Sequence, residues 1–300
     1  MEKRPDISVI TINYNGFEDT CEFINSWKAT VMSVCYEIIV VDNASQNNES
    51  NRLQQLYPSI TVIGSRENLG FARANNLGIK AATGKYLFFL NNDVVILQDT
   101  IQLLINRLVS SVNIAGVSPL IRNYEKPHAI QFAGYTPLST ITLRNKTIGE
   151  GATNVKAYPA SPTPYLHGAA MLLKRSIIEK LGPMPEDYFL YYEELDWCTY
   201  ITLKGYELWY DPACEIWHKA SRSTGKDSPL KTFYLSRNRL IYAYRNRFDW
   251  TLYATVLYQI SIVLPKVVIL SLLKGRKDIA KAHWEGVKAF FKLRRKDLRP

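Results

Sequence analysis

Short apolar runs alternate along the first part of the chain with stretches whose apolar residues recur at helical spacing. Runs at 7–12, 37–41, 60–63, 86–90 and 114–117 read as strands, and the stretches near 17–28, 48–56, 71–82 and 99–109 read as the helices between them. Strands as uniformly apolar as Tyr86-Leu87-Phe88-Phe89-Leu90 need cover on both faces. The alternation therefore predicts an α/β fold, a largely parallel sheet with helices on each side. Asp99-Thr100 marks a helix start, and Gly84 reads as the glycine that ends the helix before the fourth strand.

Between 118 and 164 the pattern dissolves into Pro, Thr, Gly and Tyr, which reads as loops and hairpins built out from the sheet and suited to recognising an acceptor. A strand at 168–173 follows, its Gly168 and Ala169 small enough for backbone to approach a ligand, and then a helix at 176–181.

The polar residues that close the strands carry the chemistry. Asn13-Tyr14-Asn15-Gly16 follows the first strand, Asp42-Asn43-Ala44-Ser45 the second and Asn91-Asn92-Asp93 the fourth. Open α/β sheets bind ligands at these ends, and two acidic stations facing one crevice suggest a nucleotide with its metal. Either station alone could simply cap a helix or form a turn. The first strand lacks the G-x-G-x-x-G turn that a dinucleotide-dependent oxidoreductase requires, which removes that class.

Farther on, Glu193, Glu194 and Asp196 fall on the first turn of a helix running to Lys204 and closed by Gly205. Glu193 and Asp196 share a face, while Glu194 is turned by about 100° from Glu193. Acids favour helix N-termini in any case. The preceding Phe189-Leu190-Tyr191-Tyr192, however, predicts a partly dry setting that raises carboxylate pKa values, as a general base needs.

Composition adds compartment and charge. The chain has 300 residues, 47% of them hydrophobic, and four cysteines with no C-x-x-C pair. No zinc site or disulfide framework is expected, and the absence of an apolar leader before the first strand reads as cytosolic. Residues 221–300 hold 18 Lys and Arg against 5 Asp and Glu, while the remainder is slightly acidic. These charges flank the apolar run Leu252–Leu273, so they point to an anionic membrane surface and not to nucleic acid. Pro265 and Lys266 interrupt the run, and a mid-bilayer lysine costs about 2.5–3.5 kcal/mol, which favours helices lying in the interface over a span. Lys277, Lys281, Lys288, Lys292 and Arg295, interleaved with Ile279, Trp284, Val287, Phe290 and Phe291, continue the pattern. A helical pair packed on the catalytic part, or a homodimer through these helices, is the alternative.

Five motifs, Asn13-Tyr14-Asn15, Val41-Asp42-Asn43-Ala44-Ser45, Asn68-Leu69-Gly70-Phe71-Ala72, Leu90-Asn91-Asn92-Asp93 and Tyr191 to Cys198, stand in an order that resembles family 2 glycosyltransferases of the GT-A fold, particularly the rhamnosyltransferase-like branch. The resemblance spans roughly residues 7–245 and implies a catalytic domain at 1–230 with a helical tail at 231–300. It implies that Asp42 accepts a hydrogen bond from a nucleotide base beside Asn13 and Asn15. Asn68 and Arg73 complete the donor side with Asn91 and Asn92. Asp93 then takes a Mg2+ or Mn2+ ion whose shell the diphosphate completes, with Asn91 standing where the family has a first Asp. His218 matches a histidine that reaches the metal or diphosphate, and Arg222, Arg237 and Arg239 are candidates for phosphate.

The family's base position is Glu194, with Glu193 and Asp196 as alternatives, and Gly168, Ala169 and Trp197 fall on the acceptor side. The implied activity is inverting transfer of a sugar from dTDP-rhamnose or a UDP-sugar to a lipid-linked or cell-envelope glycan, at the cytoplasmic side of the membrane. A catalytically inactive nucleotide-sugar-binding membrane scaffold of the same fold is the rival expectation.

Overall fold

The computed structural model describes residues 4–219 and 228–293. Its first half alternates β1 (Ile7–Asn13), α1 (Phe17–Thr30), β2 (Tyr36–Asp42), α2 (Glu49–Leu56), β3 (Thr61–Gly64), α3 (Gly70–Ala81), β4 (Tyr86–Leu90), β5 (Val94–Val95) and α4 (Ile101–Val109). There follow β6 (Ile114–Asn123), β7 (Ile130–Phe132), β8 (Ser161–Pro162), β9 (Ala170–Lys174), α5 (Arg175–Leu181), α6 (Glu193–Leu203), β10 (Glu207–His218) and α7 (Pro229–Asn246). The chain closes with α8 (Trp250–Tyr258), a π turn at Gln259–Val263, α9 (Leu264–Leu273) and α10 (Lys277–Lys292).

The ten strands among the described residues join one sheet in the order β3-β2-β1-β4-β9-β6-β10-β5, with β7 on β6 and β8 on β10. Side chains alternate across a strand, and the buried residues sort accordingly. Val9, Ile38, Val40 and Phe88 face α1, α2 and α4 through Phe23, Trp27, Leu53 and Leu104. Ile10, Ile39, Val41 and Phe89 face α3, α5, α6 and α7 through Ala74, Ile178, Trp197 and Ile241. The expected two-sided cover is present.

The sheet is parallel across β3-β2-β1-β4 and between β6 and β10, but β9 runs antiparallel to both its neighbours. Its direction follows from the path: β6 ends at the polar edge, the loops after it stay there, and the chain re-enters the sheet from that edge. The first six residues of the 118–164 segment thus belong to β6, and only the remainder forms the added layer, stitched to the sheet by β7 and β8.

Two expected helix signals act otherwise. Asp99 spends its carboxylate on the backbone N–H groups of Met32 and Ser33 and on the Ser33 hydroxyl, not on α4. Gly84 lies beyond the end of α3, and a Cβ there would meet Ser8 N at 2.5 Å, so close approach to β1 demands the glycine.

In the tail, Trp250–Leu273 forms one continuous 24-residue helix, long and apolar enough by length and composition to cross a membrane. Pro265 does not break it: a π turn stands just before, with Leu264 N–H donating to Gln259 O. Lys266, Trp250, Tyr253, Leu257 and Leu273 are exposed. On α10, Val287 and Phe290 are buried in the core cluster that includes α7, leaving Trp284 and Phe291 outside. Of the five apolar residues expected to offer membrane contact, Val287 and Phe290 therefore pack inward instead. Arg222 and Arg295 lie outside the described residues.

Candidate active site

Parallel register puts the strand ends side by side, with Asn13 directly opposite Asp42. Asn13 is fully buried, and its amide nitrogen donates to Asp42 Oδ1 at 2.8 Å, Glu49 Oε2 at 2.8 Å and Ser45 Oγ at 3.1 Å, while its Oδ1 accepts from Thr20. A side chain so engaged positions Asp42 and does not itself line a pocket, which corrects its expected place. Asn15 remains exposed and accepts from Gln46 N, tying the loop after β1 to the loop after β2.

Asn91-Asn92-Asp93 forms the turn between β4 and β5, and the antiparallel pairing of β5 with β10 brings His218 alongside. Asp93 Oδ1 lies 3.1 Å from His218 Nε2, yet this buried oxygen has no aligned hydrogen-bond donor. Burial pushes the Asp93 carboxyl up, but His218, the backbone and Lys219 outweigh it, and the pKa ends below the ordinary value. Asp93 is therefore a carboxylate. Asn91 Nδ2 sits 3.4 Å from the same imidazole nitrogen, and Asn92 Nδ2 turns away to Thr20 Oγ1 at 2.9 Å. Gln131, from β7, contacts His218 Nδ1 at 2.9 Å and so fixes the ring from behind. Sequence reasoning missed Gln131, which comes from the aperiodic insertion.

The three candidate acids separate by environment. Asp196 is buried, with Arg245 Nε and Asn246 Nδ2 each 2.5 Å from its oxygens, so it anchors α6 to α7 and is removed from the candidates for base. Glu193 is also buried, and its Oε2 has no partner. Burial, then the neighbouring Glu194 charge, drives its pKa well above the ordinary value. Burial raises Glu194 as well, against the backbone N–H groups of its own turn. Glu194 alone of the three keeps part of its side chain open, and it rests against Gly168, where an added Cβ would lie 3.9 Å from its Cγ. Asn91 N donates to Ala169 O at 3.1 Å, so the Asp93 turn and Glu194 flank one short piece of backbone.

The loop before α6 is held by strain and clamps. Tyr191 and Tyr192 both have left-handed φ, 71° and 77°. From α7, Asn238 Nδ2 donates to the carbonyls of Leu190 and Tyr191 at 2.7 and 2.8 Å, and Arg239 donates to the Tyr192 hydroxyl. Arg237 donates to the Asp187 carbonyl. Arg237 and Arg239, considered for phosphate, brace this loop. Residues 231–246, grouped with the tail by sequence, thus supply the clamp on the acidic helix.

From the other side, Phe71 N donates to Phe189 O, and a Cβ on Gly70, at φ +75°, would lie 2.2 Å from that oxygen. Asn76 bonds Met184 and Glu186. Asn68 accepts from Asn43 Nδ2 and Gly70 N, shaping the start of α3, while Arg73 is exposed and pairs with Glu186 at 3.4 Å.

Trp197 is buried edge-on to Phe89 and donates to Gly182 O, so it belongs to the core and not to an acceptor surface. Its place four residues from both Glu193 and Ile201, which are buried as well, turns it to the sheet. Ala169 is buried too, whereas Gly168 is partly open. Instead, Tyr135 and His167 stack at 5.9 Å beside this opening, and burial, then the Glu194 charge, raises the Tyr135 pKa. Burial, then His218, lowers the His167 pKa to about 3, which keeps the ring neutral.

Among the described residues there is no cluster of three or more His, Cys, Asp or Glu that could hold a metal ion. The orphaned Asp93 oxygen beside His218 fits a cation held by few protein ligands, with a diphosphate supplying the others.

A family profile described as Glycosyl transferase family 2 matches residues 8–182. The low-salt glycan biosynthesis hexosyltransferase Agl10 of Haloferax volcanii is 30% identical over 200 residues, which cover 64% of this chain and 60% of that protein. The poly-beta-1,6-N-acetyl-D-glucosamine synthase of Staphylococcus aureus is 25% identical over 237 residues, covering 75% of this chain and 54% of the synthase. The chain thus spans somewhat over half the length of these relatives. The mannosyltransferase PcManGT from Pyrobaculum calidifontis, solved with GDP-Man and Mn2+, superposes with a TM-score of 0.58 at 16% identity, over 97% of this chain and 88% of its own.

Proposed function

The chain belongs to glycosyl transferase family 2, and from that premise we propose that it moves a sugar from a nucleotide-diphosphate sugar to a lipid-linked or cell-envelope glycan. The observation that carries this reading is the buried Asp93, its Oδ1 beside His218 Nε2 but without an aligned donor, set across Gly168–Ala169 from the partly open Glu194.

Asp42, held by Asn13, accepts from a ring N–H of the base, and Asn15 borders the same loop. Asp93 and His218 would hold Mg2+ or Mn2+ against the diphosphate, and the bound cation stabilises the charge of the leaving group. Gln131 and Asn91 keep the His218 ring oriented. Glu194 takes the proton from the acceptor hydroxyl, and its raised pKa suits that task near neutral pH. One base opposite the leaving group gives a single in-line displacement, hence inversion. Tyr135 and His167 form a flat wall beside Glu194 on which the acceptor ring rests. The exposed apolar face of Trp250–Leu273 and its basic flanks hold the enzyme peripherally at the anionic, cytoplasmic surface of the membrane.

The test is nucleotide release and product formation from a panel of dTDP-rhamnose, UDP-sugars and GDP-sugars with a polyprenyl-linked acceptor. Release of nucleotide from one donor, dependent on acceptor and divalent cation, supports the reading. No release from any donor contradicts it.

A further inference from the structure

At the end of the exposed apolar helix, a cavity of about 320 Å³ opens between the first turns of α7, the end of α9 and the start of α10. Lys231, Thr232, Leu235, Ser271, Lys274 and Arg276 line it. Among the described residues no acid lines it; Asp278, at 3.0 Å from Arg276, offsets one of the three cations, and the described lining is net positive. Leu230, next to Lys231, is exposed, as are Leu270, Leu272 and Leu273 around Ser271 and Lys274. A cationic hollow flanked by bare leucines matches a molecule whose phosphate adjoins acyl chains.

We propose that this cavity receives the phosphate of an anionic phospholipid headgroup while the flanking leucines enter the acyl layer. Lys231 and Lys274 supply charge, and Arg276 and the buried Ser271 hydroxyl supply further donors. The assignment rests on the membrane reading above and narrows it from a diffuse basic surface to one pocket. It also gives α7 two tasks. The helix holds the headgroup near Lys231 and, about 20 Å farther along its axis, ties Arg245 to Asp196 of the acidic helix. The lipid surface and the catalytic loop are thereby held at a set separation.

The test is co-sedimentation of the full chain with vesicles of phosphatidylcholine alone and of phosphatidylcholine mixed with phosphatidylglycerol. The wild type is expected to prefer the mixed vesicles. Thr232→Trp fills the cavity and keeps every charge, and Lys274→Gln removes one; each is expected to reduce that preference by about fivefold or more, with metal-dependent nucleotide binding unchanged as the check on folding. A wild-type preference retained in Thr232→Trp overturns the pocket and leaves only a diffuse field. A wild type that binds neither vesicle overturns the membrane reading along with it. Binding of inorganic phosphate alone, dependent on Lys274 and equally tight, overturns the lipid in favour of a free anion.

Discussion

Asp93 Oδ1 stands 3.1 Å from His218 Nε2, buried and without an aligned donor. That oxygen has room for a further electropositive partner, which a bound cation would supply. Gln131 holds the far side of the same ring. Gln131→Leu is therefore expected to weaken Mn2+-dependent nucleotide binding by about 10- to 100-fold while the melting curve stays near wild type. Unchanged affinity by calorimetry would show that Gln131 has no hold on the site.

Glu194 and Asp196 make opposite predictions. Glu194→Gln should lower turnover by about 10²- to 10⁴-fold with donor affinity intact. Because burial raises the Glu194 pKa and the base must be ionised, the acid limb of kcat/KM should lie above the ordinary carboxylate range. A limb at or below that range would exclude Glu194 as the base.

Arg245→Ala strands the buried Asp196 charge and should cost about 3–5 kcal/mol in urea unfolding. Replacing Arg245 and Asp196 by apolar residues, Arg245→Met with Asp196→Leu, should recover part of that loss, the remainder reflecting Asp187, which Arg245 also binds at 2.8 Å. A double variant no more stable than the single one would mean that the pair contributes more than mutual neutralisation.

Glu193 links stability to pH. Its folded pKa is raised by burial, so its contribution to stability is full below the ordinary carboxylate value and is lost as pH rises through the folded value. Glu193→Gln should accordingly unfold at higher urea than wild type at alkaline pH, with the gap closing in acid. An equal gap at both ends of the range would contradict the linkage.

How far the sequence discloses this arrangement depends on the kind of signal. Strand ends are legible, since an apolar run that stops at Asp42 or Asp93 marks both the element and the polar edge. The direction of β9 is not, because Gly168–Leu173 reads the same whichever way the strand enters. Gln131, Tyr135 and His167 come from a segment without periodicity, where position is set by β7 and β8 pairing on distant strands. The clamp by Asn238, Arg239 and Arg245 is hidden in a helix whose composition resembles the basic, apolar tail after it. Trp197 misleads for the reverse reason: it neighbours the acids in sequence, but the helix turns it into the core.

Gly70 illustrates a motif whose glycine serves geometry. Gly70→Ala meets both a left-handed φ and the Phe189 carbonyl at 2.2 Å. It should cost more than about 1 kcal/mol and lower turnover by displacing the loop before Glu193. A variant with wild-type melting and wild-type turnover would remove Gly70 from the support of the site.

The most direct measurement is calorimetric titration of the full chain with UDP, dTDP and GDP, each with and without Mn2+, beside Asp93→Ala. The prediction is that one nucleotide binds in the presence of the metal, that chelation abolishes its binding, and that Asp93→Ala does not bind it. Binding by Asp93→Ala equal to wild type, or no binding of any nucleotide by the wild type with Mn2+, would contradict the assignment of this cleft.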